Sequence, residues 1–140
     1  MPEIVLRVAA KAVIVNDKNE VLIVREANTY SDSTQLGKYT LPGGRINLGE
    51  KYFDGLKREI LEEVGLEIEP VKPIEIGEWH PEINGVKNQI IAIFYLCKAK
   101  NTDIKLSEEH DSFAWVSPDK IDEYSEQLVD ENILKKYFNV

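Results

Sequence analysis

Apolar runs near the amino terminus predict a β-hairpin. Residues 4–15 are rich in β-branched side chains and end at the turn sequence Asn16-Asp17-Lys18-Asn19, and a second apolar run follows over residues 21–24. Two such runs joined by a short polar turn are typical of antiparallel strands. The polar residues 27–38 then predict a surface loop or the rim of a pocket, and Pro42-Gly43-Gly44 predicts a forced change of chain direction.

Apolar residues spaced three and four apart predict a helix over residues 51–64. The residues that repeat at this spacing are Phe53, Leu56, Ile60, Leu61 and Val64. Gly65 stands where a left-handed cap would end the helix. Gly55 lies inside the helix, where glycine costs about 1 kcal/mol relative to alanine. We interpret it as a point where the helix approaches the loop closely.

A second hairpin is predicted over residues 71–79 and 87–98, with Asn84-Gly85 as the signal for a type I′ turn between the strands. Residues 113–116 predict a short strand. Ser117-Pro118-Asp119 resembles the start of a helix, and residues 123–138 predict a closing helical region.

Together these elements predict an α+β fold, loosely an α/β/α sandwich in which a mixed β-sheet packs between helices. The 140 residues match the usual size of one domain, and 43% hydrophobic residues are enough to form a core. No repeat and no Pro/Gly/Ser-rich linker divides the chain. We therefore expect one domain over residues 1–140.

The charge balance narrows the choice of partners. Asp and Glu number 25 and Lys and Arg number 17, which gives a formal net charge of −8. Such a protein repels a polyphosphate or a nucleic-acid backbone unless cations intervene, so a metal-mediated encounter is favoured and nucleic acid is not expected as a partner. Cys97 is the single cysteine, which excludes an internal disulfide and gives no metal-binding spacing.

Hydropathy predicts no membrane partner and a cytoplasmic protein. No segment approaches the roughly 18 apolar residues of a membrane span, and the amino terminus lacks the pattern of a secretion signal. Exchange or pairing of edge strands between two copies would be an economical route to a homodimer.

Three carboxylates crowd one side of the predicted helix. Glu62 and Glu63 lie three and four positions after Glu59, and residues at these spacings are neighbours on a helix surface. Like charges there destabilise an isolated helix by roughly 0.2–0.5 kcal/mol per pair, a cost that a bound cation would reverse. Oxygen ligands alone suit Mg²⁺ or Mn²⁺ rather than zinc. The alternative is a solvated acidic face opposite the apolar stripe.

The wider pattern favours the metal site. Gly44 is followed after five residues by Glu50, and after seven more by the run Arg58-Glu59-Ile60-Leu61-Glu62-Glu63-Val64-Gly65-Leu66. This pattern resembles the Nudix box at every defining position. The motif covers 23 residues, and the flanking strands and closing helix resemble the family's arrangement over nearly the whole chain.

The resemblance implies a role for each motif residue. Glu59, Glu62 and Glu63 would bind metal ions, with the carbonyl of Gly43 or Gly44 as a further ligand. Arg58 and Glu50 would hold a carboxylate in place before the substrate arrives. We include Arg58, Glu62 and Glu63 among the catalytic residues, and Gly44 with the three glutamates among the metal ligands.

A general base is expected outside the motif, because in many family members it is a glutamate in a loop shortly before the last strand. Glu109 is our first choice and Glu108 the second. His80 and His110 have no paired ligand residues in sequence, so neither receives a role. Arg25, Tyr39, Arg45 and Trp79 are the candidates for binding the substrate, since an aromatic ring can stack on a base and a cation can contact phosphate.

The resemblance implies an enzyme that hydrolyses a phosphoanhydride bond in a nucleotide or another derivative of a nucleoside diphosphate, with Mg²⁺ or Mn²⁺ as cofactor. A nucleoside triphosphate is the first candidate substrate. ADP-ribose, another sugar nucleotide or a dinucleoside polyphosphate is the alternative. A nucleotide-binding module without turnover is a third hypothesis, which the three intact carboxylates disfavour.

Overall fold

A computed structural model of the protein describes residues 3–27 and 37–140. The strands are β1 (Ile4–Val15), β2 (Val21–Glu26), β3 (Tyr39–Thr40), β4 (Gly43–Arg45), β5 (Ile68–Trp79), β6 (Glu82–Ile83), β7 (Val86–Ala99) and β8 (His110–Val116). The helices are α1 (Tyr52–Val64), a 3₁₀ helix (Pro118–Tyr124) and α2 (Glu131–Phe138). Of the predicted loop over residues 27–38, residues 28–36 lie outside the described part of the chain.

The strands form one mixed sheet in the order β3-β2-β1-β7-β5, with β8 also paired to β2 and β4 to β1. β1 and β7 run parallel along twelve paired positions, from Ile4 opposite Lys87 to Val15 opposite Lys98. The other strand pairs are antiparallel. β1 therefore lies in the middle of the sheet, and the alternation of its side chains supplies both faces.

Two apolar cores lie on the two faces of the sheet. Ala9 and Val13 of β1 belong to the core that includes Ile121, Ile133 and Leu134 of the carboxyl-terminal helices. Ala10, Ala12 and Ile14 of the same strand belong to the core formed with Leu56, Ile60 and Val64 of α1. A sheet with helices packed on both faces confirms the predicted α+β fold and its sandwich arrangement.

Local signals placed the predicted turns and the predicted helix correctly. Gly65 has φ 72° and donates its backbone N–H to the carbonyl of Leu61 at 3.0 Å, so it ends α1 as a left-handed cap. Asn84 and Gly85 have φ 52° and 78°, as a type I′ turn requires. The Asn16 side chain accepts the backbone N–H groups of Lys18 and Glu20, both at 3.0 Å, which fixes the first hairpin turn.

The predicted closing helical region over residues 123–138 is helical only at its two ends. The 3₁₀ helix ends at Tyr124, and α2 begins only at Glu131. Between them, the carbonyl of Gln127 and the N–H of Val129 bond to the backbone of Tyr39, at 2.7 and 2.9 Å. These backbone groups are satisfied by β3, so the chain leaves the helical path there. None of the helices described is long and apolar enough to cross a membrane.

Candidate active site

A glycine turn brings the motif helix against the centre of the sheet. Gly43 lies opposite Lys11 and Gly44 opposite Ala10 in the β4–β1 ladder. Gly43 has φ 143°, and a β-carbon there would lie 2.1 Å from the carbonyl oxygen of Ala10. A β-carbon on Gly44 would lie 2.4 Å from a carboxylate oxygen of Glu59. Only glycine fits at position 43, where the backbone of β1 is too close, and a side chain at position 44 would displace the carboxylate of Glu59.

Two of the three motif carboxylates enter a cavity beside this turn. Glu63 is only 5% exposed and accepts the backbone N–H of Gly43 at 3.1 Å. Burial raises its pKa to about 8, with Glu59 and Glu109 adding to the effect and Lys11 and the Gly43 N–H opposing it. Burial likewise raises the pKa of Glu59. A bound cation would stabilise the ionised form of both groups.

Glu62, in contrast, points towards solvent. Its side chain is 60% exposed and accepts Nη1 of Arg58 at 3.2 Å. It is not among the residues that line the cavity. The helix therefore divides the three carboxylates, with Glu59 and Glu63 inside and Glu62 at the surface, and the roles of Glu62 as metal ligand and catalytic residue stay predictions.

Arg58 connects the motif helix to the loop before it through several hydrogen bonds. Its Nε and Nη2 donate to the two carboxylate oxygens of Glu50 at 2.7 and 3.0 Å, a bidentate pair. Its Nη1 donates to Glu59 at 3.0 Å, and Nη2 also reaches the carbonyl of Arg45 at 3.2 Å. The hydrogen bond from Arg58 lowers the pKa of Glu50 to about 2. The guanidinium thus orients Glu59 and fixes the turn at Arg45.

The ion pair between Arg58 and Glu50 also explains why residue 55 is a glycine. A β-carbon at this position would lie 2.5 Å from Cδ1 of Ile46 and 2.8 Å from a carboxylate oxygen of Glu50. The helix does approach the loop closely here, as the sequence suggested, and the absent side chain leaves room for the carboxylate that binds Arg58.

We expect Arg58→Lys to reduce kcat by about 10- to 100-fold, the usual effect of removing a group that orients a metal ligand. A lysine keeps the charge but cannot bridge both oxygens of Glu50 while contacting Glu59. Steady-state kinetics with Mg²⁺ measure the effect. Lys57→Arg, a change of the same kind on the neighbouring residue, should leave kcat unchanged. An Arg58→Lys enzyme with the kcat of the wild type would show that the bidentate pair is not needed.

The far wall of the cavity comes from distant parts of the chain. Glu109, immediately before β8, lines the cavity, whereas Glu108 is exposed and does not. His110 is 7% exposed and lines the cavity, and Lys11 enters from β1. Burial lowers the pKa of His110 to about 4, helped by the positive charge of Lys11, so its imidazole is neutral at pH 7. The cavity has a volume of about 430 Å³.

The structure separates the four predicted substrate-binding residues into two pairs. Arg45 and Trp79 line the cavity. Arg25 instead forms an ion pair with Asp111, from Nε to Oδ1 at 2.7 Å, and does not line it. Tyr39 packs edge-on against Tyr124, with ring centroids 5.3 Å apart, and its hydroxyl lies 3.3 Å from that of Ser112.

Sequence reasoning missed Lys11, His110 and Thr40 as cavity residues. Lys11 shares its apolar run with a second charged residue, Arg7, so its charge alone did not single it out. Its Nζ donates to Oγ1 of Thr40 at 3.4 Å, and that hydroxyl donates to Oδ2 of Asp130 at 2.7 Å. Asp130 also accepts the N–H of Leu41 at 3.1 Å, so the start of α2 supports the chain just before the glycine turn.

A second cavity of about 830 Å³ adjoins the first. Lys11, Thr40, Trp79 and Pro81 line both cavities. Glu78, His80, Asn132 and Ile133 line the second alone. Cavities of these sizes are typical of small-molecule sites. The two together form a cleft with the motif carboxylates Glu59 and Glu63 at one end.

Comparison with known proteins identifies the class. The sequence model of the NUDIX domain matches residues 5–137. The nucleoside triphosphatase NudI of Escherichia fergusonii is 33% identical over 95 residues, covering 63% of this chain and 67% of that protein. The crystal structure of a MutT protein from Methanosarcina mazei Go1 has a TM-score of 0.79 and 30% identity, covering 99% of this chain and 97% of that one.

A MutT NUDIX hydrolase from Burkholderia pseudomallei, with a TM-score of 0.68 and 26% identity, covers 81% of this chain and 84% of that one. These matches define the class of the protein as a pyrophosphohydrolase that acts on nucleotide derivatives. The chain belongs to the Nudix family. Hydrolases of this family typically use divalent metal ions, and the carboxylates of Glu59, Glu63 and Glu109 at the cavity have the donor chemistry that such ions require.

Proposed function

We propose that this enzyme cleaves a nucleoside triphosphate to a monophosphate and pyrophosphate, with Mg²⁺ or Mn²⁺ as the metal. The observation that carries the proposal is the convergence of Glu59, Glu63 and Glu109 on one cavity beside a glycine turn. An acidic protein can hold three phosphates there only if cations neutralise them. The relatives named as nucleoside triphosphatases support this choice of substrate.

Glu59, Glu63 and the carbonyl of Gly44 would hold the metal, which when bound neutralises phosphate charge and lowers the pKa of a nearby water. Glu109 is the residue that would accept the proton of the attacking water, since it faces the cavity and Glu108 does not. Arg45 would contact a phosphate, and Trp79 would stack on the base where the two cavities meet.

A panel of nucleotides tests the proposal. Pyrophosphate and a monophosphate should appear from at least one nucleoside triphosphate in the presence of Mg²⁺ or Mn²⁺ and not in the presence of a chelator. AMP and ribose 5-phosphate from ADP-ribose, without turnover of any triphosphate, would contradict it. Binding of nucleotides with no turnover at all would favour the binding module.

A sugar nucleotide or a dinucleoside polyphosphate is the second candidate. The second cavity favours it, because about 830 Å³ next to the carboxylates offers room for a group beyond the phosphates. The ratio of kcat/KM for ADP-ribose and diadenosine tetraphosphate to that for the triphosphates decides between the candidates.

Lys11 is the residue best placed to bind a substrate phosphate directly. Its ammonium has three donors, and the long bond to Thr40 uses one of them. Glu63 and His110 line the same cavity, and the positive charge of Lys11 lowers the pKa of both groups. A fixed cation opposite the carboxylates would hold the phosphate chain between itself and the metal.

We expect Lys11→Met to lower kcat/KM for the triphosphate by about 10- to 100-fold, the effect of losing a charge-assisted hydrogen bond of roughly 1.5–3 kcal/mol. Methionine keeps the length of the side chain. Lys87→Met, an exposed lysine on the neighbouring strand β7, is the matched control and should leave kcat/KM unchanged. Equal kinetics for the two variants would exclude Lys11 from phosphate binding.

We further propose that the protein acts in the cytoplasm on free nucleotides rather than on nucleic acid, and that it forms a homodimer. The net charge of −8 supports the first part, and the edge strand β5 supports the second. Light scattering gives the mass in solution, and a single copy at micromolar concentration would contradict the dimer.

A further inference from the structure

His110 lines the cavity and has a buried imidazole nitrogen that no described protein group satisfies. Its side chain is more than nine-tenths buried, and within residues 3–27 and 37–140 its Nδ1 is the one buried side-chain nitrogen or oxygen without a hydrogen-bond partner. Buried polar atoms are paired in the great majority of cases, so an exception next to a reactive site indicates a ligand.

A local irregularity of the sheet lies beside this side chain. β8 pairs with β2, and the register shifts between Arg25 and Glu26, where His110 lies opposite Glu26. Shifts of this kind redirect side chains beside active sites. The next residue, Asp111, points the other way and forms the ion pair with Arg25 outside the cavity. His110 is therefore held by the sheet itself, and its backbone N–H donates to the carbonyl of Ser107 at 3.2 Å.

His110 has two carboxylates as neighbours. One ligand atom each from Glu63, Glu109 and His110 lie within 4.8 Å of one another. Two ligands on opposite sides of one ion, each about 2.1 Å from it, are separated by about 4.2 Å. Small side-chain rotations therefore suffice to bring all three donors onto one ion. The set has two oxygens and one nitrogen, which differs from the carboxylate-only site that the motif predicts.

We propose that His110 supplies a nitrogen ligand to a metal ion held with Glu63 and one carboxylate oxygen of Glu109, and that this position selects a first-row transition ion such as Mn²⁺ or Co²⁺ over Mg²⁺. The second carboxylate oxygen of Glu109 is then the one that accepts the proton of the attacking water. The proposal rests on the metal dependence in the proposed function. Imidazole is a good ligand for transition ions, whereas Mg²⁺ prefers oxygen in near-ideal octahedral geometry. A neutral imidazole also adds no charge, so the site keeps the negative charge that attracts the cation.

Pulsed EPR of the untagged, full-length protein loaded with Mn²⁺ tests the proposal directly. We expect a ¹⁴N coupling from a directly bound imidazole. The chain has two histidines, so His80→Gln is the matched control. His80 is exposed, with its Nε2 2.9 Å from Oε2 of Glu78, and its replacement should leave the signal intact. His110→Gln should remove it, and His110→Asn serves as a second variant if that protein does not fold.

Calorimetry supplies an independent measurement. His110→Gln should raise the Kd for Mn²⁺ by about 10- to 100-fold, and the Kd for Mg²⁺ by less than about threefold. Binding of Mn²⁺ by the wild-type protein without ¹⁴N coupling would overturn the nitrogen ligand and leave the proposed function standing. Absence of Mn²⁺ and Mg²⁺ binding, even with nucleotide present, would overturn both.

Discussion

Glu63→Gln should reduce kcat by about three orders of magnitude or more, because the substitution removes a charged oxygen at the centre of the metal site. Glu63 is the motif carboxylate that is buried, bonded to the glycine turn and close to both Glu109 and His110. Glutamine has nearly the same shape, and its amide oxygen can still accept the N–H of Gly43. Single-turnover kinetics at saturating metal measure the loss in the chemical step.

The stability of the metal-free protein separates this effect from misfolding. The pKa of Glu63 is raised to about 8, so the folded state holds the proton more tightly than the unfolded chain, where the value is near 4.5. The metal-free wild type should therefore lose stability as the pH rises from about 4.5 to about 8. Glu63→Gln should lack this loss, as thermal melts across that range would show. Its melting temperature at pH 7.5 should equal or exceed that of the wild type.

Glu69→Gln is the control for the kinetics. Glu69 is an exposed carboxylate on β5, paired in the ladder with Lys98 and absent from the cavity lining. This variant should retain full activity. A Glu63→Gln enzyme with more than about one-tenth of wild-type kcat would contradict the placement of the metal.

Gly43→Ala should destabilise the fold by about 2–6 kcal/mol and abolish activity. The positive φ of 143° is unfavourable for any residue with a β-carbon, and that carbon would lie 2.1 Å from the carbonyl oxygen of Ala10. Strain in the backbone contributes about 1–3 kcal/mol, and an overpacked contact about as much again. β1 lies in the middle of the sheet and cannot move aside. Urea unfolding followed by circular dichroism measures the difference.

The variant Gly49→Ala separates the cost of backbone strain from the cost of the overpacked contact. Gly49 also has a positive φ, 84°, but a β-carbon there would meet nothing within 4 Å. We expect it to lose only about 1–2 kcal/mol, the cost of a left-handed conformation, and to keep its activity. Equal losses for the two variants would mean that the contact with Ala10 relaxes freely.

The sequence predicted well where structure depends on near neighbours. The helix α1, its cap at Gly65 and the turn at Asn84-Gly85 follow from spacing and from backbone preferences within a few residues. The end of the chain did not follow the same rule. Its helical pattern is interrupted because Tyr39, far away in sequence, takes the backbone bonds of Gln127 and Val129.

The site was also predicted well from near neighbours in sequence and poorly where distant segments meet. From the spacing on the helix, we correctly predicted Glu59 and Glu63 beside Gly44. We also expected Glu62 to share their environment, because it lies three positions after Glu59. At 100° per residue, Glu62 and Glu63 point about 100° apart, so one faces the cavity and the other solvent. Lys11 and His110 reach the cavity through strand pairing, Lys11 opposite Gly43 and His110 opposite Glu26. Such registers join distant segments and have no local signal.

The parallel pairing of β1 with β7 has a consequence for how the enzyme is made. Its partners are about 80 residues apart in sequence, so closing this loop is a slow, entropically costly step. The whole Nudix motif is synthesised before β7, and its helix is fully covered only after β7 pairs with β1. Until then Leu56, Ile60 and Val64 have only part of the surface that later covers them. The site is therefore complete only after the last third of the chain has folded, because Glu109 and His110 reach the cavity from the start of β8.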